Sequence, residues 1–193
     1  MKAIELTTDR LLLDQPTKLD VSQITAACQD PIFEKFMTLP WPYTVSDAEY
    51  FVQRLVPDGW ATGTEATWAL RLRTSPVRLV GVIGIRAATS DVGYWLVPEH
   101  RGNGYMTEAL EHAVAWAIQT KFGEGSSIKW SCIAGNTASA AVARNAGFRY
   151  TGAGPSPIAM RDGSHPDSWL GEYAGSHDPD QWPNTTFPSP LRL

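Results

Sequence analysis

Apolar residues return at every third or fourth position through Met106, Leu110, Ala113, Val114, Ala117 and Ile118, which makes one face of a helix. The stretch before it has another rhythm. Tyr94 to Val97 is aromatic and branched, as a buried strand prefers, and Pro98 cannot continue a ladder, so the strand stops there. Between the two lie Gly102 and Gly104, which let the backbone turn sharply and let an anion approach its N–H groups without meeting a Cβ. Strand, glycine loop and helix in this order aim the helix N-terminus at the loop. Unpaired N–H groups and the positive dipole end make such a place a phosphate site, and Arg101 adds a full charge.

The rest of the chain falls around this unit. Leu6 to Leu13 alternates as an opening strand that ends near Pro16. Two short helices follow, with Asp20 as the cap of Val21 to Cys28 and Ser46 with Glu49 as the capping box of Asp47 to Leu55. Leu39-Pro40-Trp41-Pro42-Tyr43-Thr44 between them reads either as a binding loop or as a loop whose rings plug the core edge. Thr67 to Arg73 and Leu79 to Ala87, split by Ser75-Pro76, and then Asp91 to Val97 form an antiparallel meander. Lys121 and Gly123 end the central helix. Ser127 to Ile133 is the next strand, so strand, helix and strand form a crossover whose strands are parallel. Asn136 caps the following helix, Gly147 ends it in a left-handed turn, and strands begin at Phe148 and at Asp167.

That order predicts an α/β fold with a mixed sheet of about seven strands and helices on both faces. Residues 1–174 read as a single domain. Residues 175–193 carry Pro179, Pro183, Pro188 and Pro190 with no periodicity that buries them alone, a tail that Trp182 and Phe187 would anchor.

Composition narrows the partners more than the fold. At 193 residues, with 43% hydrophobic and 19% charged residues, the chain suits one well-buried domain. A net charge of −4 argues against general attraction to nucleic acid or an anionic membrane, so an anionic ligand needs a local positive site. Neither a long apolar run nor a secretion-type start is present, which predicts a cytoplasmic protein; the sequon at Asn184 then has no use. Cys28 and Cys132 lack metal-site spacing and read as reduced thiols, and the four histidines are scattered, so no metal is expected.

The glycine turn alone names no chemistry. Gly102 to Thr107 lacks the third glycine of a dinucleotide fingerprint and the Lys-Ser/Thr ending of a P-loop, and neither a Gly-x-Ser-x-Gly elbow nor a His-Glu-x-x-His pair occurs. Several motifs in fixed order are more specific. Thr8 to Leu13, Pro42-Tyr43-Thr44, Trp68 to Leu72, Gly81-Val82-Ile83-Gly84, Gly93 to Leu110, Asn136 to Ser139, Ala146-Gly147-Phe148 and Arg161 to Asp167 together resemble the GNAT superfamily of acetyl-CoA-dependent N-acetyltransferases, nearest its Rim-type, ribosomal-protein N-terminal acetyltransferase-like branch. The likeness spans roughly residues 7–173.

This resemblance implies a mostly antiparallel sheet whose central parallel pair splays around an acyl-CoA. Acetyl-CoA would be a co-substrate, with the backbone of Leu96 and Val97 pairing with its pantetheine and the loop Arg101, Gly102, Asn103, Gly104, Tyr105 and Met106 holding its pyrophosphate. Met106 departs from the small residue usual at the end of that signature. Asn136 and Ser139 match positions facing the pantetheine and thiol, and Arg144 is a contact for the adenosine phosphate, because Asn145 stands where a basic residue is more usual. Trp41, Tyr43 and Trp95 are the expected acceptor contacts.

Acetyl transfer requires an uncharged amine in line with the thioester, a donor for its carbonyl oxygen and a proton for the departing thiolate. The N–H near Leu96 is the expected donor, Ser139 the acid, and Asp91 or Glu99 the base, although both carboxylates also read as ordinary solvated groups. The expected function is therefore transfer from acetyl-CoA to a primary amine such as a protein N-terminus, by direct attack in a ternary complex. Alternatives are an acyl-cysteine route through Cys132, an inactive acyl-CoA-binding regulatory module and a dinucleotide-binding oxidoreductase. Acyl-CoA and an amine are the expected partners, membrane and nucleic acid are not, and a homodimer is compatible with such a domain.

Overall fold

The opening alternation folds as two strands rather than one. In the computed structural model, which describes residues 1–123, 127–175 and 182–183, β1 (Leu6–Thr7) and β2 (Leu11–Asp14) form a hairpin with Leu6 opposite Leu13. Thr8 Oγ1 accepts the Leu11 N–H at 2.9 Å within the turn, a local bond that unbroken alternation hides. Among the described residues the sheet accordingly has eight strands instead of seven.

Four helices follow: α1 (Val21–Ala27), α2 (Pro31–Phe36), α3 (Val45–Tyr50) and α4 (Val56–Thr62). Asp20 precedes α1 without capping it; its carboxylate accepts the Thr17 N–H at 2.7 Å and holds Arg71. The capping box of α3 is Thr44 with Asp47, not Ser46 with Glu49, because the helix begins at Val45. A π turn over Phe51–Leu55 joins α3 to α4, carrying Pro57 into the first turn of α4 where a missing N–H breaks no bond.

β3 (Glu65–Leu72), β4 (Ser75–Arg86) and β5 (Asp91–Leu96) form the meander. α5 (Tyr105–Thr120) crosses to β6 (Lys129–Ile133), and α6 (Thr137–Asn145), β7 (Phe148–Pro155) and β8 (Asp167–Tyr173) complete the chain order. The sheet runs β1-β2-β3-β4-β5-β6-β8-β7, antiparallel except for β5 and β6. Lys121, not Gly123, takes the left-handed position that closes α5, its N–H reaching the Ala117 carbonyl.

Each face of the sheet has its own core. Ile24, Phe33, Tyr43, Ala48 and Val52 from the first helices cover Ala69, Leu79 and Val82. On the other face Trp60, Trp68 and Trp116 meet at 5.0–5.8 Å between rings, beneath the apolar side of α5. Trp182 of the proline-rich tail is buried there too, 5.5 Å from the Trp130 ring and 5.9 Å from Tyr150; Phe187 lies outside the described residues. Among the described residues no helix is long and apolar enough to cross a membrane.

Candidate active site

The parallel pair is joined for only two residues. Asp91 lies opposite Lys129 and Val92 opposite Trp130, and beyond Val92 no register pair links β5 to β6 among the described residues. β5 stays on β4 instead, with Gly81 opposite Leu96 and the Val97 N–H donating to Val80 O at 2.9 Å. Because alternate residues of a strand address alternate edges, the backbone groups of Tyr94 and Leu96 turn toward the opening. Arg101 takes up the Leu96 carbonyl through Nε at 3.2 Å and Nη2 at 3.1 Å, so the N–H is the group Leu96 offers the gap.

At one end of the gap stands the glycine loop. Gly102 and Gly104 have φ of +79° and +75°, left-handed conformations costing a residue with a Cβ about 1–2 kcal/mol. Gly104 is the N-cap of α5, and no side chain caps this helix, so its first-turn N–H groups face outward. Met106 is buried in the core and leaves the loop unobstructed despite its size. The Arg101 side chain turns back from the loop. It runs back to Leu96 and to Asp30 Oδ2 at 2.8 Å, joining the loop to the start of α2.

Arg10, which no sequence pattern singled out as a site residue, is the cation beside the loop. Its Nη1 donates to Asn103 O at 2.9 Å, its guanidinium lies 4.8 Å over the Tyr105 ring, and its Nε meets Glu108 Oε2 at 2.6 Å. Glu108 also accepts from the Thr8 hydroxyl and, at 2.9 Å, from the Arg10 N–H. Thr8-Asp9-Arg10 thus clamps the first turn of α5 through a carboxylate. Burial disfavours the ionised Glu108, but these hydrogen bonds outweigh it and hold its pKa below the usual range.

Ser139 lies where the strands part. Asn136 caps α6, its Oδ1 accepting the Ser139 N–H at 3.1 Å. Ser139 Oγ accepts from Trp130 Nε1 at 3.2 Å and lies 3.1 Å from the Tyr94 hydroxyl, which donates to the Ser139 carbonyl at 2.9 Å. Cys132 Sγ is 3.7 Å from Asn136 O, and burial pushes its thiol up to about 12. Tyr94, Ser139, Asn136 and Cys132 line a cavity of about 120 Å³ together with Met37 and Met160. Tyr94 and Trp130 escaped the sequence reading because their partners are 45 and 9 residues away.

The other expected site residues are placed less centrally. Asp91 borders the same cavity, but its carboxylate is committed to Arg86 Nη1 at 2.6 Å and to the Thr89 hydroxyl. Glu99 borders a different, larger hollow of about 770 Å³ between α1 and the start of β4, which contains neither Ser139 nor Asn136. Tyr43 is buried in the first core, with Trp41 packed against it, and Trp95 meets Phe33 edge-on at 5.7 Å; none of the three lines the smaller cavity. Arg144 sits in the last turn of α6. Among the described residues no three His, Cys, Asp or Glu side chains are grouped to hold a metal ion.

The loop between β7 and β8 is fastened to the end of α2. Arg161 Nη1 donates to the Met37 and Leu39 carbonyls at 2.9 Å each, and Nη2 to Glu34 O, where α2 ends and its carbonyls lack helical partners. Arg161→Ala is expected to raise the acceptor KM about tenfold while changing the acetyl-CoA KM less than twofold. Steady-state kinetics in both substrates checks this; equal rises would assign Arg161 to coenzyme binding.

Known proteins share this fold. Three solved structures superpose over most of their lengths: a putative ribosomal-protein-serine acetyltransferase from Vibrio cholerae (TM-score 0.73, 18% identity, 88% of this chain and 96% of that one); the ribosomal-protein α-N-acetyltransferase RimL in complex with coenzyme A (TM-score 0.73, 17% identity, 88% and 97%); and the microcin self-immunity acetyltransferase MccE with acetyl-CoA and AMP (TM-score 0.71, 20% identity, 86% and 92%). No curated protein sequence matches the chain. At such identities these likenesses establish the fold. The sequence pattern of the acetyltransferase (GNAT) domain, however, matches residues 10–149, from the arginine that clamps the glycine loop to the start of β7, and by that match the chain belongs to the GNAT family of acetyltransferases.

Proposed function

We propose that the protein passes an acetyl group from acetyl-CoA directly to a primary amine, a peptide α-amine, in a ternary complex. The observation carrying this reading is the opening beyond Val92, with the outward edge of Leu96 on one side and the Ser139 hydroxyl on the other. The coenzyme's pyrophosphate belongs on the uncapped start of α5. Its pantetheine belongs along Leu96 and Val97 as an added strand, with Asn136 and Ser139 toward the thiol. The Leu96 N–H is the donor for the thioester carbonyl, and Arg144 is the contact for the adenosine phosphate.

Acceptor chemistry follows from what the cavity wall lacks. Its one carboxylate, Asp91, is held by Arg86 and Thr89, so a cationic amine finds no uncommitted base there among the described residues. At pH 7 neutralising an α-amine costs about 1 kcal/mol and a lysine amine about 4.6 kcal/mol, from reference pKa values of ~7.8 and ~10.4. An α-amine can lose its proton to water. The α-N-acetyltransferase activity named for RimL supports the same choice. With its pKa near 12, Cys132 is almost wholly protonated at neutral pH, which weighs against an acyl-cysteine route. The doubly wound sheet of a dinucleotide oxidoreductase is not this one.

Labelled acetyl-CoA mixed with the protein alone, and then with peptides bearing free or blocked N-termini, tests the proposal. Acetylation of free N-termini without label retained on the protein is expected. A stable acetyl group on Cys132 would overturn direct transfer. Tight coenzyme binding with no transfer to any amine would favour the regulatory module.

A further inference from the structure

The thiolate released by acetyl transfer must acquire a proton, and a serine hydroxyl by itself is a poor source. Alcohols are far weaker acids than thiols, so Ser139 can give up its proton only if another replaces it in the same motion. Tyr94 is built for that replacement. Its Oη lies 3.1 Å from Ser139 Oγ and 2.9 Å from the Ser139 carbonyl, on the cavity wall they share. Trp130 Nε1 donates to Oγ from a third direction at 3.2 Å, and Asn136 Oδ1 fixes the Ser139 N–H at 3.1 Å.

We propose that Tyr94 is the proton source for the departing coenzyme thiolate, acting through Ser139 as a relay of two hydroxyls. This rests on the acetyl-transfer reading above and adds to it a residue on the strand opposite Ser139. In the resting arrangement the Tyr94 hydroxyl points to the Ser139 carbonyl. For transfer it rotates to Oγ, and the Ser139 hydroxyl turns to the sulfur. The Ser139 O–H bond breaks as S–H forms, and the Tyr94 O–H bond breaks as Ser139 regains its proton. The proton lost by the attacking amine then returns through water to the Tyr94 phenolate, so the sum is amide plus free thiol. Trp130 cannot change roles, because an indole only donates; it keeps Oγ in place while both hydroxyls rotate.

Two features suit Tyr94 to the task. Among the hydroxyls on this wall, a phenol is much the strongest acid, with an ordinary pKa of about 10. Burial raises it, against the hydrogen bond from Ser139, which keeps the proton present at rest and means that it leaves only in step with the return of the amine's proton. The other titratable groups on the cavity wall are Cys132 on β6, itself neutral, and the Arg86–Asp91 pair, whose charges cancel.

The test uses the whole protein with acetyl-CoA and an α-amine peptide. Tyr94→Phe is expected to lower kcat about 100-fold, with the acetyl-CoA KM and melting temperature little changed. Tyr94→Phe combined with Ser139→Ala should be no slower than Ser139→Ala alone, since residues acting as a unit are not additive. The wild-type rate should fall in mixed H2O and D2O along a curve signalling two protons in flight, and the Tyr94→Phe rate along a line. Replacing Tyr94 with 3-fluorotyrosine, a stronger acid of nearly the same shape, should change kcat at fixed pH while leaving the acetyl-CoA KM unchanged. A wild-type kcat in Tyr94→Phe, or a slow variant whose solvent-isotope curve is unchanged, would reduce Tyr94 to a structural contact while leaving acetyl transfer standing. A wild-type protein that acetylates no amine would overturn both.

Discussion

Replacing Asp20 with alanine is expected to lower the unfolding free energy by about 3–5 kcal/mol, because it strips a buried arginine of its main partner. Arg71 is 6% exposed and Asp20 1%. The guanidinium meets the two Asp20 oxygens at 2.8 Å through Nη1 and Nη2, and reaches both Asp14 oxygens at 2.8 Å through Nε. Without Asp20, the forked end of the guanidinium stays buried with Nη1 and Nη2 unpaired, and only Asp14, at Nε, is left to offset the charge. Urea unfolding measures the loss; a value under about 1 kcal/mol would put the pair among surface ion pairs. Replacing Arg71 with Met and both Asp20 and Asp14 with Leu should recover much of it, since an apolar set leaves no unpaired charge.

The two carboxylates also give the network opposite pH dependences. For Asp20, burial opposes ionisation but Arg71 and Thr17 outweigh it, so its folded pKa lies below 3.8. Its contribution is present above pH 3.8 and is lost as pH falls through the folded value. For Asp14, burial exceeds the pull of Arg71 and the folded pKa lies above 3.8. There the folded state takes up a proton first, so acidification toward pH 3.8 relieves a small penalty. Asp20→Asn should remove the acid-side loss and, because the Asp20 charge helps to raise Asp14, should also reduce the opposite slope.

What the chain reveals locally, it reveals well. Gly102, Gly104, the apolar stripe of α5 and the Asn136 cap each depend on neighbours within a few residues, and the fold places them as their spacing requires. Asp30-Pro31, an N-cap followed by the proline that favours a first helical turn, marks α2 just as plainly. Other features have no local signature. The alternation through Leu6–Leu13 continues across a turn, and Pro57 reads as a stop unless the π turn before it is known. Arg10 finds Glu108 98 residues on, Tyr94 finds Ser139 across the gap, and Arg161 reaches back 124 residues to Met37. A side chain's duty at such distances is set by which strands come to lie side by side, which a one-dimensional pattern does not contain. The rings of Trp41 and Tyr43 illustrate the converse, since an aromatic cluster before a helix serves a core as well as a pocket.

Gly81→Ala is expected to destabilise the fold by about 2–3 kcal/mol and to weaken acetyl-CoA binding more than tenfold. Gly81 faces Leu96 across the β4–β5 ladder. A Cβ there would overlap the Trp95 carbonyl oxygen and come within 2.8 Å of Leu96 Cδ2 and 3.1 Å of Leu96 Cα. Most of that obstacle is backbone, which cannot swing aside. The strands must separate where Leu96 turns its outward edge to the gap, so a defect on one side of β5 is transmitted to the coenzyme's side. Gly84, three residues on, provides the contrast. Its Cβ would meet Glu65 Oε1 at 2.8 Å and Thr67 Oγ1 at 3.2 Å, side-chain ends of which the glutamate at least can move. Gly84→Ala should therefore cost about 1 kcal/mol or less and leave coenzyme affinity within a factor of two. Titration calorimetry with acetyl-CoA on both variants, beside their urea unfolding curves, separates the two effects. Equal losses of affinity would mean that the edge at Leu96 does not hold the pantetheine.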